Sequence, residues 1–252
     1  LVLGASTVIS EISLGSHALN LTLNWLCNVA TFENVHRRTI IFAFDDYSYG
    51  KIKESWPELN DKQFHVGDGR YQMFQLFRSN LCSYLAANGI SFWMLQADTY
   101  WRENLFDVIG SLLADMIAGG NFFVKAGYRS TAFFNELSRR LLNYYSTDNN
   151  IMGALCRTIF KGSRCSFIPY QIISNWRWHT MKDKKLPSLM QFDGGATGIS
   201  KFKRMQDLGA YFVKSETIGR HQTAKCNANK IREPKNAISM KYFILHHFII
   251  FK

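Results

Sequence analysis

The sequence holds none of the short motifs that announce the commonest enzyme chemistries. There is no Walker phosphate loop, no HExxH, no GxSxG, and the seven histidines show no metal-ligand spacing. P-loop hydrolysis, zincin proteolysis and α/β-hydrolase chemistry are thereby set aside. The five cysteines, Cys27, Cys82, Cys156, Cys165 and Cys226, form no CxxC pair. Cys27 and Cys82 fall in apolar helical patterns and read as buried thiols. Pairing of Cys156 with Cys165 in an oxidising compartment stays open at this level. No internal repeat is present, and the terminal "YFILHHFIIFK" is too short to span a bilayer. No positively charged, apolar leader stands before Leu1, so any targeting segment or membrane anchor is expected outside this chain.

Charge is scarce and one-sided. Only 19% of residues are charged, with 30 Lys and Arg against 19 Asp and Glu, for a net charge of +11. A hydrophobic content of 47%, of which aromatics are a large share, argues against global disorder. At 252 residues the chain suits one good-sized domain, or one with an appendage. The positive charge is consistent with nucleic acid, with a phosphorylated small molecule or with a solvated basic surface. It is spread out, richest at 201–204 and from 214 onward, so nucleic acid ranks behind the other two.

What the chain does have is an alternation of apolar strands and helices. "LVLGAS" reads as a strand, "HALNLTLNWLCNVATF" as a helix, and "RTIIFAF" as a strand leading to Asp45 and Asp46. "SYGKIKESW" follows as a short helix, and Tyr71 to Leu85 keep helical spacing. "ISFWML" is a fully apolar strand turned in by Gly89. "GGNFFVKA" predicts another strand, "STAFFNELSRRLLNYY" an amphipathic helix, "STDNNIMGALCRTIF" a further helix and "CSFIPY" a short strand. "NLFDVIGSLLADM" between them reads as helix or loop. Strands apolar on both faces that alternate with helices predict an α/β fold with a mostly parallel, helix-flanked sheet. Residues 1–215 form that domain, and 216–252 are expected as a basic, poorly ordered tail with one short terminal helix.

Ligands of open parallel sheets bind beyond the carboxyl ends of the strands. Two strands end there in acids, "FAFDD" and "WMLQAD". A buried carboxylate is costly unless paired or metal-bound, so Asp98 is a candidate ligand contact, though an aspartate also opens turns by bonding backbone amides. Arg78, at the edge of an apolar helical stripe, needs a partner. A diphosphate, the Asp98 carboxylate, an ordinary salt bridge and a snorkelling side chain all qualify. Asp148 stands where a cap for a helix from Asn149 belongs. Trp176 and Trp178 suit stacking on a bound ring or packing in the core.

"SFWMLQADTYWRENLF" resembles the region of GT-A glycosyltransferases in which an apolar strand delivers an Asp-X-Asp motif. "RTIIFAFDD", "GGNFFVKAGYRSTAFFNEL", "STDNNIMGALC" and "QFDGGATGISKFKRMQDLG" resemble, in order, further segments of the nucleotide-diphospho-sugar transferase family. The resemblance runs along most of residues 1–213. It implies a Rossmann-like GT-A fold and transfer of a sugar from a nucleoside diphosphate sugar to a hydroxyl of a glycan or protein acceptor, with retention of configuration. It also implies a Golgi lumenal enzyme anchored to the membrane by a segment outside this chain. Asp98 matches the metal-binding last Asp of the motif, and Gln96 replaces the first. A glutamine can bond a ribose hydroxyl but adds no charge for a cation. Mn²⁺ or Mg²⁺ would be the metal, with Asp193 a second ligand. Asp45 or Asp46 would lie near the nucleoside, Asn121 would face the donor sugar, and Lys201 with Arg78 would neutralise the diphosphate. The resemblance puts Asp148 near the donor sugar or the acceptor, and it is the acid to test first as a catalytic group. Between Trp101 and Gly119 the chain is short for the family, which leaves little room for the strand and loop expected there. A catalytically inactive binding or scaffold domain on the same fold is the rival reading.

Overall fold

The computed structural model describes residues 5–8, 16–41, 46–57, 60–61, 71–108, 115–118, 120–174, 178, 185–192, 201–214 and 225–232. In chain order these give β1 (Ala5–Val8), α1 (Ser16–Val29), β2 (Thr39–Ile41), α2 (Asp46–Ser55), β3 (Asn60–Asp61) and α3 (Tyr71–Ala87). Then come β4 (Phe92–Leu95), β5 (Thr99–Trp101), α4 (Leu105–Val108), β6 (Asp115–Ala118), β7 (Asn121–Val124) and α5 (Tyr128–Asn143). The order closes with α6 (Asp148–Arg157), β8 (Cys165–Phe167), β9 (Ile173–Ser174), β10 (Leu189–Gln191), α7 (Lys201–Asp207) and α8 (Ala228–Arg232).

The main sheet has the order β3-β2-β1-β4-β7-β6-β8. Every neighbouring pair is parallel except the two that β7 makes, with β4 and with β6. A mostly parallel sheet is therefore what forms. All four residues of β4 are buried, because the strand feeds two cores at once. Trp93 and Leu95 enter one with Trp25, Tyr100, Trp101, Leu189 and Phe212. Phe92 and Met94 enter the other with Phe122, Phe134, Leu137 and Leu155. This alternation is the two-sided burial that a continuous apolar run encodes. Gly89, at φ 75°, makes the turn from α3 into β4. α5 buries Phe133, Leu137 and Leu141 on one face, while Glu136 on the other takes ion pairs from Arg139 and Arg140.

A smaller sheet, ordered β5-β10-β9, lies beyond the carboxyl end of β4. Buried asparagines one helical turn apart tie α1 to its surroundings. Asn28 exchanges both of its amide hydrogen bonds with the backbone of Trp101, and Asn24 does the same with Ala210 and Phe212. Each carboxamide thus imitates a peptide group in a ladder.

Three expectations change. The short segment after Trp101 does contain a strand, β6, which pairs with both β7 and β8. Cys27 is not a free thiol: it bridges Cys226, while Cys156 bridges Cys165 and Cys82 is free and buried. The segment expected as a patternless tail is docked where it is described. Cys226 bridges the chain to α1, Val213 forms a β-bridge with Cys226, and Ile231 of α8 joins the core.

Candidate functional site

The turn after β4 is built around Gln96. Thr99 Oγ1 donates to the Gln96 carbonyl at 2.8 Å, which pins the bend that places Asp98 just past the strand's carboxyl end. The Asp98 carbonyl then accepts from the Phe192 amide at 2.8 Å, which anchors the turn to the end of β10. Asp98 is 4% exposed, a burial that a carboxylate tolerates only with compensating charge. The compensation comes from Lys201, whose Nζ donates to Asp98 Oδ2 at 2.6 Å. A lysine in a helix's first turn opposes the helix dipole, and this carboxylate repays it. The Lys201 side chain keeps 27% of its surface exposed, so the buried acid presents a cation to the edge of the sheet.

Behind that pair lies a ring of three carboxamides. The Gln96 backbone N–H donates to Asn121 Oδ1 at 2.9 Å, and Asn121 Nδ2 donates to Gln191 Oε1 at 2.9 Å. Gln191 Nε2 closes the ring by donating to Gln96 Oε1. Gly120 makes the room: a Cβ there would stand 2.4 to 2.6 Å from the Gln96 amide atoms. Asn121 is fully buried and both ends of its amide are engaged in this ring. On Gln96, Nε2 is the donor that makes no hydrogen bond among the described residues. Gln191 was not singled out in the sequence; a polar residue closing the buried strand "LMQ" was the available signal. Trp178 is fully buried and donates its indole N–H to the Gln191 carbonyl at 2.7 Å, a core role.

Arg78 and Asp148 find each other. They form a buried ion pair between α3 and the start of α6, with 5% and 3% of their side chains exposed. Among the partners open to Arg78, the ordinary salt bridge is the one formed. Asp148 Oδ1 also accepts from the Asn149 amide, and its own amide donates to Gln75 Oε1. The cap of α6 is one residue earlier than expected, because Thr147 Oγ1 accepts from Asn150. Burial pushes the neighbouring Cys82 thiol up, far from reactivity at neutral pH.

Asp46 is exposed at the first position of α2, where an acid complements the helix dipole. Asp45, Asp193 and Trp176 lie outside the described residues. Among the described residues no group of three or more His, Cys, Asp or Glu side chains converges as a metal site. At the strand edge they supply one carboxylate, already carrying an ammonium group; Asp193, the second expected ligand, is not among them.

A sequence profile of the nucleotide-diphospho-sugar transferases matches residues 34–118 and 110–205, well over half of the chain. The chain belongs to that family. No curated protein matches it in sequence. Among solved structures, an active-site mutant of LgtC superposes with a TM-score of 0.53 at 11% identity, covering 85% of this chain and 99% of that one. The galactosyltransferase LgtC, in complex with donor and acceptor sugar analogs, gives a TM-score of 0.50 at 10% identity with the same coverage. These likenesses show the fold, which is the GT-A fold of glycosyltransferases. For this nucleotide-diphospho-sugar transferase, the residues brought together at the sheet's carboxyl edge are Asp98 with Lys201, and Gln96 with Asn121. Arg78 and Asp148 form a second, separate pair.

Proposed function

We propose that this enzyme transfers a sugar from a nucleoside diphosphate sugar to an acceptor hydroxyl at the edge that carries Asp98 and Lys201. The observation that supports it most is the buried Asp98 carboxylate holding the ammonium group of a partly exposed lysine at the carboxyl end of a parallel strand. In the reaction, the bond from the sugar's anomeric carbon to the diphosphate breaks and its electron pair leaves with the diphosphate. The acceptor oxygen bonds to the same carbon, and its proton passes to the leaving group or to solvent. Negative charge grows on the diphosphate, and Lys201 is the group positioned to offset it. Asp98 fixes the ammonium, Gln96 Nε2 reaches a ribose hydroxyl, and Asp45 or Asp46 lies near the nucleoside. Retention of configuration asks for no separate base, in keeping with an Asp148 carboxylate spent on Arg78. A divalent ion on Asp98 and Asp193 is the alternative source of positive charge.

The same engagement of Asp98 and Asp148 by cations favours the second reading, a domain that binds nucleotide sugars without turning them over. Two disulfides belong to an oxidising compartment, which supports a lumenal, Golgi-type location with the acceptor glycan or protein on the same side. No described helix is long and apolar enough to cross a membrane; anchoring by a segment outside this chain is part of the proposal.

The deciding experiment measures UDP-sugar binding by calorimetry and turnover by released UDP, with Mn²⁺ and with chelator. Lys201→Met is expected to lower kcat/KM by about 10²–10³, and turnover is expected to persist in chelator. Turnover that stops in chelator assigns the charge to the metal. Binding without turnover establishes the scaffold. Absence of binding by every nucleotide sugar refutes both.

A further inference from the structure

β7 runs antiparallel to β4, with Phe122 opposite Met94 and Val124 opposite Phe92. Asn121 therefore sits at the Asp98 end of β4, and the chain leaves β7 at the opposite, amino end. There α5 begins, and there the molecule holds a cavity of about 40 Å³. A single water needs roughly 10–15 Å³ on the same measure, so the space suits a small ring or a short branched chain. Its walls are apolar: Phe122 and Val124 from β7, Phe133 and Phe134 from α5, and Met152 from α6.

The mouth is of a different kind. Ser163 lines it, is only 7% exposed, and its hydroxyl has no hydrogen-bond partner among the described residues. Native folds rarely leave such a group unpaired unless something else satisfies it. Arg129 and Arg164 flank the opening. Both are exposed, and neither makes an ion pair or hydrogen bond among the described residues. Gly162, at φ 75°, lets the Arg129 guanidinium lie against the turn, with Nε 3.6 Å from where a Cβ would stand. Gly127 starts α5 without a side-chain cap, so the positive end of a 16-residue helix opens at the same place. An apolar cavity beneath two unpaired guanidinium groups and an unpaired buried hydroxyl is a built amphipathic site.

We infer that this cavity binds a small aryl or branched alkyl group carrying a phosphate-type anionic head. The apolar part enters between β7 and α5, and the head accepts from Ser163 Oγ, Arg129 and Arg164. Two guanidinium groups and a helix start match a dianion better than a carboxylate. The site lies at the opposite end of β4 from Asp98 and is independent of the transferase reading.

Phenyl phosphate titrated into ¹⁵N-labelled protein is the test. Saturable shifts are expected at Ser163, Arg164 and the first turn of α5, with phenylacetate, inorganic phosphate and benzyl alcohol each weaker by about tenfold or more. Replacing both exposed arginines, Arg129→Ala with Arg164→Ala, leaves the core intact and is expected to weaken phenyl phosphate by at least that factor. Ser163→Ala is expected to weaken it further. Inorganic phosphate binding as tightly as phenyl phosphate reduces the site to surface charge and overturns the inference. Benzyl alcohol binding as tightly reduces it to an apolar void and does the same. Shifts that never saturate, or that survive the double arginine variant, also refute it.

Discussion

Gly120→Ala tests whether the carboxamide ring is a stressed, specific arrangement. The new methyl carbon would stand 2.4 Å from Gln96 Cδ, 2.5 Å from Oε1 and 2.6 Å from Nε2. Non-bonded carbons settle at about 3.5–4 Å, so the amide must retreat by roughly 1 Å. The end of a glutamine could do that cheaply on an open surface. Here its Oε1 holds Gln191 Nε2, and Gln191 is buried. The retreat therefore leaves a buried amide donor unpaired, at a cost of about 1–3 kcal/mol. Against it stands the gain of about 0.4–1 kcal/mol from a stiffer unfolded chain. The net loss is about 1–2 kcal/mol, read as a Tm fall of roughly 2–8 °C in a chain of this size. Urea unfolding of four proteins, wild type, Gly120→Ala, Gln96→Ala and the double variant, isolates the cause. With Gln96 truncated the methyl has nothing to displace, so Gly120→Ala becomes neutral or mildly stabilising and the coupling is about 1–3 kcal/mol. An equal penalty in both backgrounds would place the clash in the backbone and refute this account of the ring.

The Cys27–Cys226 bridge spans 199 residues; replacing both cysteines by serine should cost about 5 kcal/mol on the chain-entropy account, seen as a lower urea midpoint that reductant lowers further only by opening the remaining Cys156–Cys165 bridge. Asp148→Ala strands the buried Arg78 charge and should destabilise by about 3–5 kcal/mol, while the paired change Arg78→Met with Asp148→Leu should recover most of it. The Tyr211 hydroxyl is pushed from 10.0 up to about 12 by burial. The folded state keeps this proton between those values and the unfolded state releases it, so the contribution is whole below pH 10 and lost as pH rises towards 12. Tyr211→Phe should flatten that part of the stability–pH curve, and it should also remove a buried hydroxyl with no partner among the described residues, stabilising by about 1 kcal/mol.

Apolar periodicity made the sheet legible wherever a strand is buried on both faces. β4 and β7 stand where "ISFWML" and "GGNFFVKA" put them, and α3, α5 and α6 follow their apolar stripes. β6 escaped because four residues containing an acid and an alanine carry no strand pattern of their own; the pairing with β7 and β8 makes it a strand. Long-range partners escaped for a related reason. Cys27 has an apolar neighbourhood in sequence and a bridge 199 residues away. That Arg78 needed a partner was legible from its place on a helical stripe, but which acid answers depends on how α3 packs against α6. Asn24 and Asn28 did leave a signal. They lie one turn apart among the leucines and tryptophan of α1, and since an amide buried there alone is costly, each had to find hydrogen-bond partners.

The strand-end acid was legible because burial and charge conflict in one residue, and its resolution explains the glutamine beside it. An aspartate at position 96 is one methylene shorter than glutamine and would withdraw from the space over Gly120 and from Gln191 Nε2. It would also set a second negative charge beside Asp98, more than one lysine can balance. The glutamine fills the space over Gly120, completes the ring with Asn121 and Gln191, and leaves Lys201 facing a single carboxylate. A one-acid edge served by an ammonium group is then internally consistent. Nearest-neighbour charge is balanced, the buried amides are paired, and the cation stays exposed enough to meet a diphosphate. Restoring the second acid would have to undo all three together.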